Sequence, residues 1–299
     1  MTLDSAQLRQ DGVRAVALYL PQFYPTPDND RWGGAGFSEW TKVVQADPLF
    51  DGHYQPRLPG EVGYYDLRVP EVRELHARLA AEHGLEAFAY WHYWFHGRRV
   101  LERPFDEVLA SGTPDFPFCL AWANETWTRR WHGAGAADEV LVEQSYSIED
   151  DVKHIRWLMS AFADDRYLTV NGRPVFLVYR PHDLPEPRRT TAIWREECLR
   201  SGLAEPYLIG MNAHRPQEGT GPLGFDTTLN FQPQLSAIPG PADPGLKIAD
   251  YAIATTAMRA RVHDYSHIPC VMVSWDNTSR RGEDGVVFIN STPEAFRQN

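Results

Sequence analysis

Short apolar segments recur along the chain, each bounded by turn-forming residues and each of the length of a β-strand. Most are apolar throughout rather than alternating with polar residues, which is typical of strands buried on both faces of a parallel sheet. Seven such strands are predicted: Ala15–Leu20, Ala87–Trp91, Phe116–Ala121, Val175–Tyr179, Tyr207–Met211, Thr227–Phe231 and Cys270–Trp275.

Between many of these strands the apolar residues recur at helical spacing instead. One helix is predicted from Pro70 to near Gly84. Another begins at Ser147, with Glu149 and Asp150 in its first turn, where acidic side chains favour the positive end of the helix dipole. Shorter helices are predicted at Phe105–Leu109, Thr190–Leu199 and Ala249–Val262.

Strands that alternate with helices predict an α/β fold, and this order favours a (β/α)₈ TIM barrel. A closed barrel needs eight strands, and seven are predicted. Val286–Ile289 is a short apolar run, and a helix start at Ser291 to Glu294 follows it near the end of the chain. We therefore expect a barrel that is incomplete at its C-terminus, with the final strand missing. The alternative is a short surface helix at a natural terminus.

The chain shows no linker and no internal repeat, so one domain is expected over residues 1–299. The net charge of −11 argues against nucleic acid and anionic membrane partners, which need a basic surface. No apolar run reaches the ~18 residues of a membrane helix, and the polar segment Met1–Gly12 lacks the features of a signal peptide. The three cysteines are far apart, which fits reduced thiols. A cytoplasmic location is expected.

Aromatic residues are concentrated in three stretches, Trp32 to Trp40, Tyr90 to Phe95 and Trp122 to Trp131. In each, Trp stands beside His, Asn, Glu or Arg, a mixture that core packing rarely requires. In a parallel barrel, the residues that follow the strands form the functional site. Aromatic rings pack against the C–H faces of sugars, and amide, imidazole and carboxylate groups pair with sugar hydroxyls.

These positions predict a sugar-binding site. The predicted substrate-binding residues are Tyr19, Gln22, Tyr24, Glu39, Trp40, His92, Tyr93, Trp94, Trp122, Asn124, Trp127, Arg129, Asn212, Gln232, Trp275 and Asn277.

No cofactor is predicted, because the chain has no glycine-rich phosphate loop. No metal site is predicted either, because HExxH and paired-cysteine motifs are absent. His92 and His96 are four residues apart, but on a strand that spacing does not form a ligand pair.

Glu125 is the strongest candidate for acid–base chemistry. Trp122 and Trp127 flank it and would desolvate its carboxyl group, which raises the pKa. Arg129 and Arg130 would instead lower the pKa. The alternative is a structural Glu paired with one of those arginines.

Glycoside chemistry usually needs two carboxylates. Asp276 is the predicted second one and Glu39 is an alternative. Asp276 could instead be a loop cap, and Glu39 a solvated loop residue. Of the consecutive residues His92 and Tyr93, we expect at least one to face the site.

Several motifs resemble those of the WbsX family in content and order. They are Leu20-Pro21-Gln22-Phe23-Tyr24, Gly36-Phe37-Ser38-Glu39-Trp40, Tyr90 to Phe95, Trp122-Ala123-Asn124-Glu125-Thr126-Trp127, Glu143-Gln144, and Trp275-Asp276-Asn277-Thr278 with Arg280 and Arg281. The resemblance covers nearly the whole chain. That family is named for polysaccharide glycosyltransfer, and it is similar to the family 99 glycoside hydrolases, (β/α)₈ enzymes that cut within mannose-containing glycans.

The resemblance also implies a segment that this sequence lacks. Members of the family continue past the position of Asn299 into a Trp-Asn-Glu-Trp-x-Glu-Gly motif, whose glutamates correspond to the catalytic pair of the hydrolases. The resemblance therefore places that pair on no residue here, and implies that Glu125 and Asp276 bind or assist.

The sequence as a whole predicts a carbohydrate-active protein whose partner is an oligosaccharide or polysaccharide. A full-length form is expected to cleave the glycan, and this 299-residue form to bind it with little turnover. One alternative is a glycosyltransferase of cell-surface polysaccharide (O-antigen, lipopolysaccharide) biosynthesis, in which Arg98, Arg99, Arg129, Arg130, Arg280 and Arg281 could neutralise a diphosphate. The other is a non-catalytic glycan-binding module.

Overall fold

A computed structural model describes residues 12–129, 139–213, 215, 217–238 and 245–298. Within them, apolar runs form strands and amphipathic segments form helices. The strands are β1 (Val16–Tyr19), β2 (Ala87–Phe95), β3 (Arg98–Val100), β4 (Phe118–Trp122), β5 (Trp127–Thr128), β6 (Val140–Val142), β7 (Thr169–Val170), β8 (Arg173–Val178), β9 (Tyr207–Met211), β10 (Thr227–Asn230), β11 (Lys247–Asp250), β12 (His267–Pro269) and β13 (Val286–Ile289).

The helices lie between the strands, as the sequence predicts. They are α1 (Pro27–Gly33), α2 (Glu39–Val44), α3 (Pro70–Glu82), α4 (Arg103–Ser111), α5 (Ile148–Phe162), α6 (Pro187–Arg200), α7 (Tyr251–Arg259), α8 (Thr278–Arg281) and α9 (Pro293–Arg297), with short 3₁₀ turns at Pro181–Asp183, Gly221–Leu223, Leu235–Ala237 and Gly282–Asp284.

Seven parallel strands form the main sheet in the order β1-β2-β4-β8-β9-β10-β12. Its registers include Val16 opposite Ala87 and Leu120 opposite Phe176. β3 and β7 attach as short antiparallel strands. Among the described strands, β1 and β12 end this order without pairing with each other, so the sheet is open. The parallel sheet with its helices agrees with the (β/α)₈ class.

The core lies between this sheet and the helices that follow its strands. Phe118 and Leu120 of β4 are almost fully buried, as are Ile155 and Leu158 of α5. Burial of one such side chain contributes about 1.5–3 kcal/mol. Strand β2 is buried along almost its whole length, because β1 and β4 flank it and helices cover its outer face.

Local signals place the helix ends close to the predicted positions. Ser147 caps α5, since its side chain accepts a hydrogen bond from the Asp150 N–H at 3.1 Å. The helix predicted from Pro70 to near Gly84 is α3, and Gly84 follows it with φ of +83°, a conformation that glycine adopts without strain. Thr292 caps the last helix, as predicted.

The seventh predicted strand is wrong in position. Strand β12 covers His267–Pro269 and pairs with β10, whereas the predicted Cys270–Trp275 forms no strand. Its apolar residues Val271 and Val273 are 54% and 70% exposed. The pattern misleads here because the chain leaves the sheet at Pro269.

The predicted helix at Ala249–Val262 begins later than expected. Ala249 and Asp250 belong to β11, and the helix α7 covers Tyr251–Arg259. Strand β11 pairs in parallel with β13 in a separate two-stranded sheet, so the apolar run Val286–Ile289 does not extend the main sheet.

Candidate functional site

A cavity of about 330 Å³ opens at the carboxyl ends of the parallel strands. Leu20 follows the first strand of the sheet and Trp275 follows the last, and both line this cavity, so the sheet curls around it. Its lining residues are Leu18, Leu20, Gln22, Asn29, Glu39, Trp91, Tyr93, Leu101, Ala123, Glu125, Trp127, Tyr179, Phe231, Gln232, Trp275 and Arg280. We call it the main cavity.

Aromatic rings form two walls of the main cavity. In one, Trp91, Tyr179 and Phe231 are in edge contact, with centroids of Trp91 and Tyr179 5.3 Å apart and those of Tyr179 and Phe231 5.5 Å apart. In the other, Tyr93 packs edge-on against Trp127 at 4.9 Å. Such flat apolar surfaces suit the C–H faces of sugar rings.

Trp275 adds a polar group to the aromatic lining. Its indole N–H is buried and has no hydrogen-bond partner among the described residues. An unpaired buried donor costs about 1–3 kcal/mol.

Glu125 lies in the loop after β4 and is the predicted acid–base residue. Its carboxylate Oε2 is 2.8 Å from Arg180 Nη2, and its side chain is mostly buried. Burial raises the pKa of Glu125, and the charge and hydrogen bond of Arg180 oppose this shift without cancelling it. The alternative of a pairing with Arg129 is wrong, because Glu125 pairs with Arg180 and Arg129 pairs with Glu139; Arg130 lies outside the described residues.

Glu39 lies at the start of α2, in the long segment between β1 and β2. Its Oε2 is 2.6 Å from Arg280 Nη2 and 3.0 Å from Arg280 Nε. Both side chains are largely buried and both line the main cavity. The first long loop and the short helix α8, which follows β12, thus meet at this ion pair.

Tyr93 connects the two carboxylates electrostatically. Burial raises the pKa of its phenol; Arg280 acts in the opposite direction, and Glu39 and Glu125 raise the pKa further. Because one buried hydroxyl senses all three charged groups, Glu39, Glu125 and Arg280 share one electrostatic environment.

Asp276 does not line the main cavity, although it was predicted as the second catalytic carboxylate. Its side chain is 2% exposed and accepts hydrogen bonds from Gln55 at 2.8 Å, from Arg57 at 3.2 Å and from the Thr278 hydroxyl at 2.6 Å. His53 donates to it as well, at 3.1 Å. Its Nε2 is the donor, because its Nδ1 accepts the Leu49 N–H.

These bonds give Asp276 a different setting from Glu125. Burial raises its pKa, but hydrogen bonds from Thr278, His53 and Arg57 more than offset the burial and lower it overall. A carboxylate that is saturated with donors suits the anchoring of a loop and not proton transfer. Asp276 ties the first long loop to the segment that carries Trp275 and Arg280.

Three predicted sugar-binding residues face the helical layer. His92 stacks on Trp157 of α5 at 4.8 Å, and its Nε2 is 2.9 Å from Nε2 of His154. Trp94 and Trp122 pack on the same His154. Burial depresses the pKa of His92 and of His154 well below the usual value, so this pair is neutral.

The reason is the two-residue period of a strand. Trp91 and Tyr93 of β2 point into the main cavity, so His92 and Trp94 point to the helices. The expectation that His92 or Tyr93 faces the site holds through Tyr93.

Other predicted residues are used within the protein. Tyr19 bonds to His76 at 2.8 Å, Trp40 donates to the Tyr65 carbonyl at 2.8 Å, and Tyr24 is buried in a cluster around Leu67. The remaining ones are Asn212, which accepts the Phe231 N–H; Asn277, which accepts the Val286 N–H; Arg129, paired with Glu139 on the surface; and Asn124, which bonds to the Arg180 backbone.

Of the predicted residues, the structure places seven in the main cavity: Gln22, Glu39, Tyr93, Glu125, Trp127, Gln232 and Trp275. The prediction missed Trp91, Tyr179 and Phe231. Each is an aromatic residue at the end of a predicted strand. Knowing which alternate residues of each strand face the cavity would have identified them. Arg180 was also missed as the partner of Glu125. Arg130 lies outside the described residues.

The proposed diphosphate-binding arginines do not gather at the main cavity. Arg98 pairs with Asp28, Arg99 pairs with Asp106 and stacks over Trp157, and Arg129 pairs with Glu139. Of the arginines in that prediction, Arg280 reaches the lining, and it is paired with Glu39.

No group of three or more His, Cys, Asp or Glu side chains within the described ranges is arranged to hold a metal ion. Likewise, none of the helices that the structure describes is both long and apolar enough to cross a bilayer.

Comparison with known proteins adds a family and a fold. The family model described as Glycosyltransferase WbsX matches residues 15–299. Two strains of Xanthomonas campestris pv. campestris each have an "Uncharacterized protein WxcX" that is 41% identical over 294 residues. The match covers 94% of this chain and 41% of each relative, so this chain spans about two fifths of the length of these curated relatives.

Two solved structures share the fold at low identity. The GH99 endo-α-mannosidase from Bacteroides thetaiotaomicron, in complex with Bis-Tris propane, superposes with a TM-score of 0.50 at 16% identity, covering 89% of this chain and 71% of that one. A "Glycoside hydrolase-like protein" superposes with a TM-score of 0.52 at 14% identity, covering 95% and 78%. These similarities show the fold.

Proposed function

This chain belongs to the WbsX glycosyltransferase family, and on that premise we propose that its main cavity binds a glycan and serves the breaking of a glycosidic bond within it. The supporting observation is the composition of the lining. Two aromatic walls, two glutamates and the indole of Trp275 meet at the carboxyl ends of a parallel sheet.

The lining matches both faces of a sugar. Trp91 and Trp127 offer apolar surface to ring C–H groups. Gln22 and Gln232 offer donors and acceptors to hydroxyls. The fold neighbour that is an endo-α-mannosidase makes mannose-containing glycans the first substrates to test.

We assign proton transfer, among the residues of this chain, to Glu125. Glycosidic cleavage needs a proton delivered to the leaving oxygen, and burial raises the pKa of Glu125, which favours the protonated form that can donate. Glu39, held beside Arg280, is the second carboxylate of the cavity and would stabilise positive charge at the anomeric carbon. It replaces Asp276 in the pair predicted from sequence.

Glycosyl transfer is the second candidate, and the family name favours it. A transferase that uses a nucleotide sugar must bind a diphosphate. The two arginines nearest Glu39 and Glu125 are both committed to carboxylates. That pairing favours a neutral glycan over a charged donor at this cavity.

The test compares wild-type protein with Glu125→Gln and with Glu294→Gln, an exposed control at the last helix. Each is applied to a glycan array, to a hydrolysis assay that follows reducing ends, and to sugar nucleotides. We expect binding of a neutral glycan by all three proteins, and any cleavage to fall by about two or more powers of ten in Glu125→Gln only.

Other outcomes decide between the candidates. Transfer from a sugar nucleotide without cleavage supports the transferase, and glycan binding without either reaction supports a binding module. Absence of binding to every glycan contradicts the proposal.

A further inference from the structure

A second, smaller pocket lies beside the main cavity and shares Glu125 with it. This side pocket has a volume of about 250 Å³ and is lined by Asn124, Glu125, Thr126, Gln144, Tyr146, Arg180 and Asp183. Its lining is polar, in contrast to the aromatic main cavity. At ~30 Å³ for each water molecule it has room for about eight waters, well beyond one structural water.

Two buried polar atoms of its lining lack a partner among the described residues. They are the amide oxygen Oε1 of Gln144, an acceptor, and Nε of Arg180, a donor. Each costs about 1–3 kcal/mol while unpaired. A hydroxyl group both donates and accepts, so a diol offers the complement of this pair.

The walls of the side pocket are fixed in place. Asn124 is fully buried; its Nδ2 donates to the Arg180 carbonyl at 2.9 Å and its Oδ1 accepts the Arg180 N–H at 2.7 Å. The Gln144 N–H donates to the Thr126 hydroxyl at 3.0 Å. The side chains are held as well, because Gln144 Nε2 donates to the Ser145 carbonyl at 2.9 Å and the Arg180 guanidinium is paired with Glu125. Both features favour a preformed site.

The charges select the class of ligand. Arg180 Nη2 is 2.8 Å from Glu125 and its Nη1 is 3.3 Å from Asp183, so one cation faces two acidic groups. A phosphate or a uronic acid would meet those carboxylates and an arginine that is already paired. A neutral, hydroxylated ligand meets no such repulsion.

We infer that the side pocket is a second saccharide subsite, which takes the sugar residue adjacent to the one in the main cavity. The inference rests on the proposed function. A glycan of two or more residues would then pass Glu125, which lies in both linings, and its glycosidic oxygen would lie near that carboxyl group. Gln144 and Arg180 would bind hydroxyls of the second residue.

The experiment measures affinity against chain length. Ladders of one to four residues of mannose, glucose, galactose and N-acetylglucosamine are titrated into wild-type protein, Gln144→Met and Gln298→Met. Met has a similar shape to Gln but lacks the amide, and Gln298 is an exposed control. Thermal melts verify that each variant folds.

For at least one ladder we expect the disaccharide to bind wild-type protein about tenfold or more tightly than the monosaccharide. Gln144→Met should remove most of that gain and leave the monosaccharide affinity unchanged, and Gln298→Met should retain both.

Three results would overturn the inference. In the first, wild-type affinity does not rise from one residue to two. In the second, Gln144→Met behaves as wild type. In the third, a crystal structure with a bound disaccharide shows only water in the side pocket. If saccharides bind but these results appear, the inference fails alone; if no saccharide binds at all, the proposed function fails with it.

Discussion

Arg280 Nη2 lies 2.6 Å from Glu39 Oε2, an ion pair between residues 241 positions apart that lines the main cavity. Because both side chains are largely buried, the pair is screened less than one on the surface. It joins the first long loop to the short helix α8. The shape of the cavity therefore depends on a contact between segments that are far apart in sequence.

The first prediction concerns this pair. Arg280→Met leaves the Glu39 carboxylate without its partner, so glycan affinity and thermal stability should both fall, the latter by about 1–3 kcal/mol. The double variant with Glu39→Gln should recover part of the loss in stability. Thermal melts of the four proteins in this cycle give the coupling energy. Strictly additive effects would contradict a direct pairing.

The second prediction concerns Asp276. Asp276→Asn should lower the free energy of unfolding by about 2–4 kcal/mol, because an amide has one acceptor oxygen and no charge. In Asp276, Oδ2 accepts from His53, Gln55 and Arg57 while Oδ1 accepts from Thr278. Glycan affinity should fall with it, since Trp275 and Arg280 follow the anchored segment. Asp284→Asn, in an exposed turn, is the matched control. Full stability with lost turnover would instead support the catalytic role predicted from sequence.

The third prediction concerns Asp151, a buried acid in the first turn of α5. Burial raises its pKa from 3.8 to about 6, against the opposing hydrogen bond from Thr190. Its folded pKa exceeds the unfolded one, so stability falls as the pH rises from 3.8 to about 6. Asp151→Asn removes this penalty. The free energy of unfolding of Asp151→Asn relative to wild type should therefore rise by about 2 kcal/mol between pH 4 and pH 7. This figure allows for partial solvent screening.

Asp164 provides a control with the opposite sign. A hydrogen bond from Arg166 lowers its pKa, so its stabilisation is present above the unfolded value and is lost as the pH falls through the folded one. Asp164→Asn should therefore cost most at neutral pH and least in acid. Urea unfolding at several pH values checks both variants. If the stability changes caused by the two substitutions varied with pH in the same direction, the opposite pKa shifts of Asp151 and Asp164 would be contradicted.

The fourth prediction concerns the open edge of the main sheet. Strand β12 pairs on one side only among the described strands, and the segment that leaves the sheet after it exposes Val271 and Val273. Such edges favour association. We expect concentration-dependent self-association that Val271→Lys with Val273→Lys reduces. Val262→Lys, at a 91% exposed position outside the sheet, should not reduce it. Sedimentation that shows a monomer at every concentration would contradict this.

The order of strands and helices was predictable from sequence because its signals are local. Pro70 and Gly84 mark the ends of α3, and Ser147 marks the start of α5. The run Cys270–Trp275 has the composition of a strand, yet the chain leaves the sheet at Pro269. Strand pairing depends on tertiary neighbours, so composition alone did not decide it.

The site was predictable as a location, and less so in its residues. The rule that functional groups follow parallel strands placed Glu125 and Trp127 correctly at the main cavity. It gave no means to choose between His92 and Tyr93, because the side of a strand that faces the cavity depends on the curl of the sheet. Likewise, only the fold shows that Asp276 meets His53, 223 positions away.

Glycan binding in the main cavity is tested by calorimetric titration of the glycan found on the array into wild-type protein, Trp275→Phe, Trp275→Ala and the surface control Phe296→Ala. Trp275→Phe keeps an aromatic face and removes the indole N–H, so affinity should fall by about tenfold or less. Trp275→Ala should lower it by about tenfold to a hundredfold or more, and Phe296→Ala should bind as wild type. Equal affinity in all four proteins would contradict glycan binding in the main cavity.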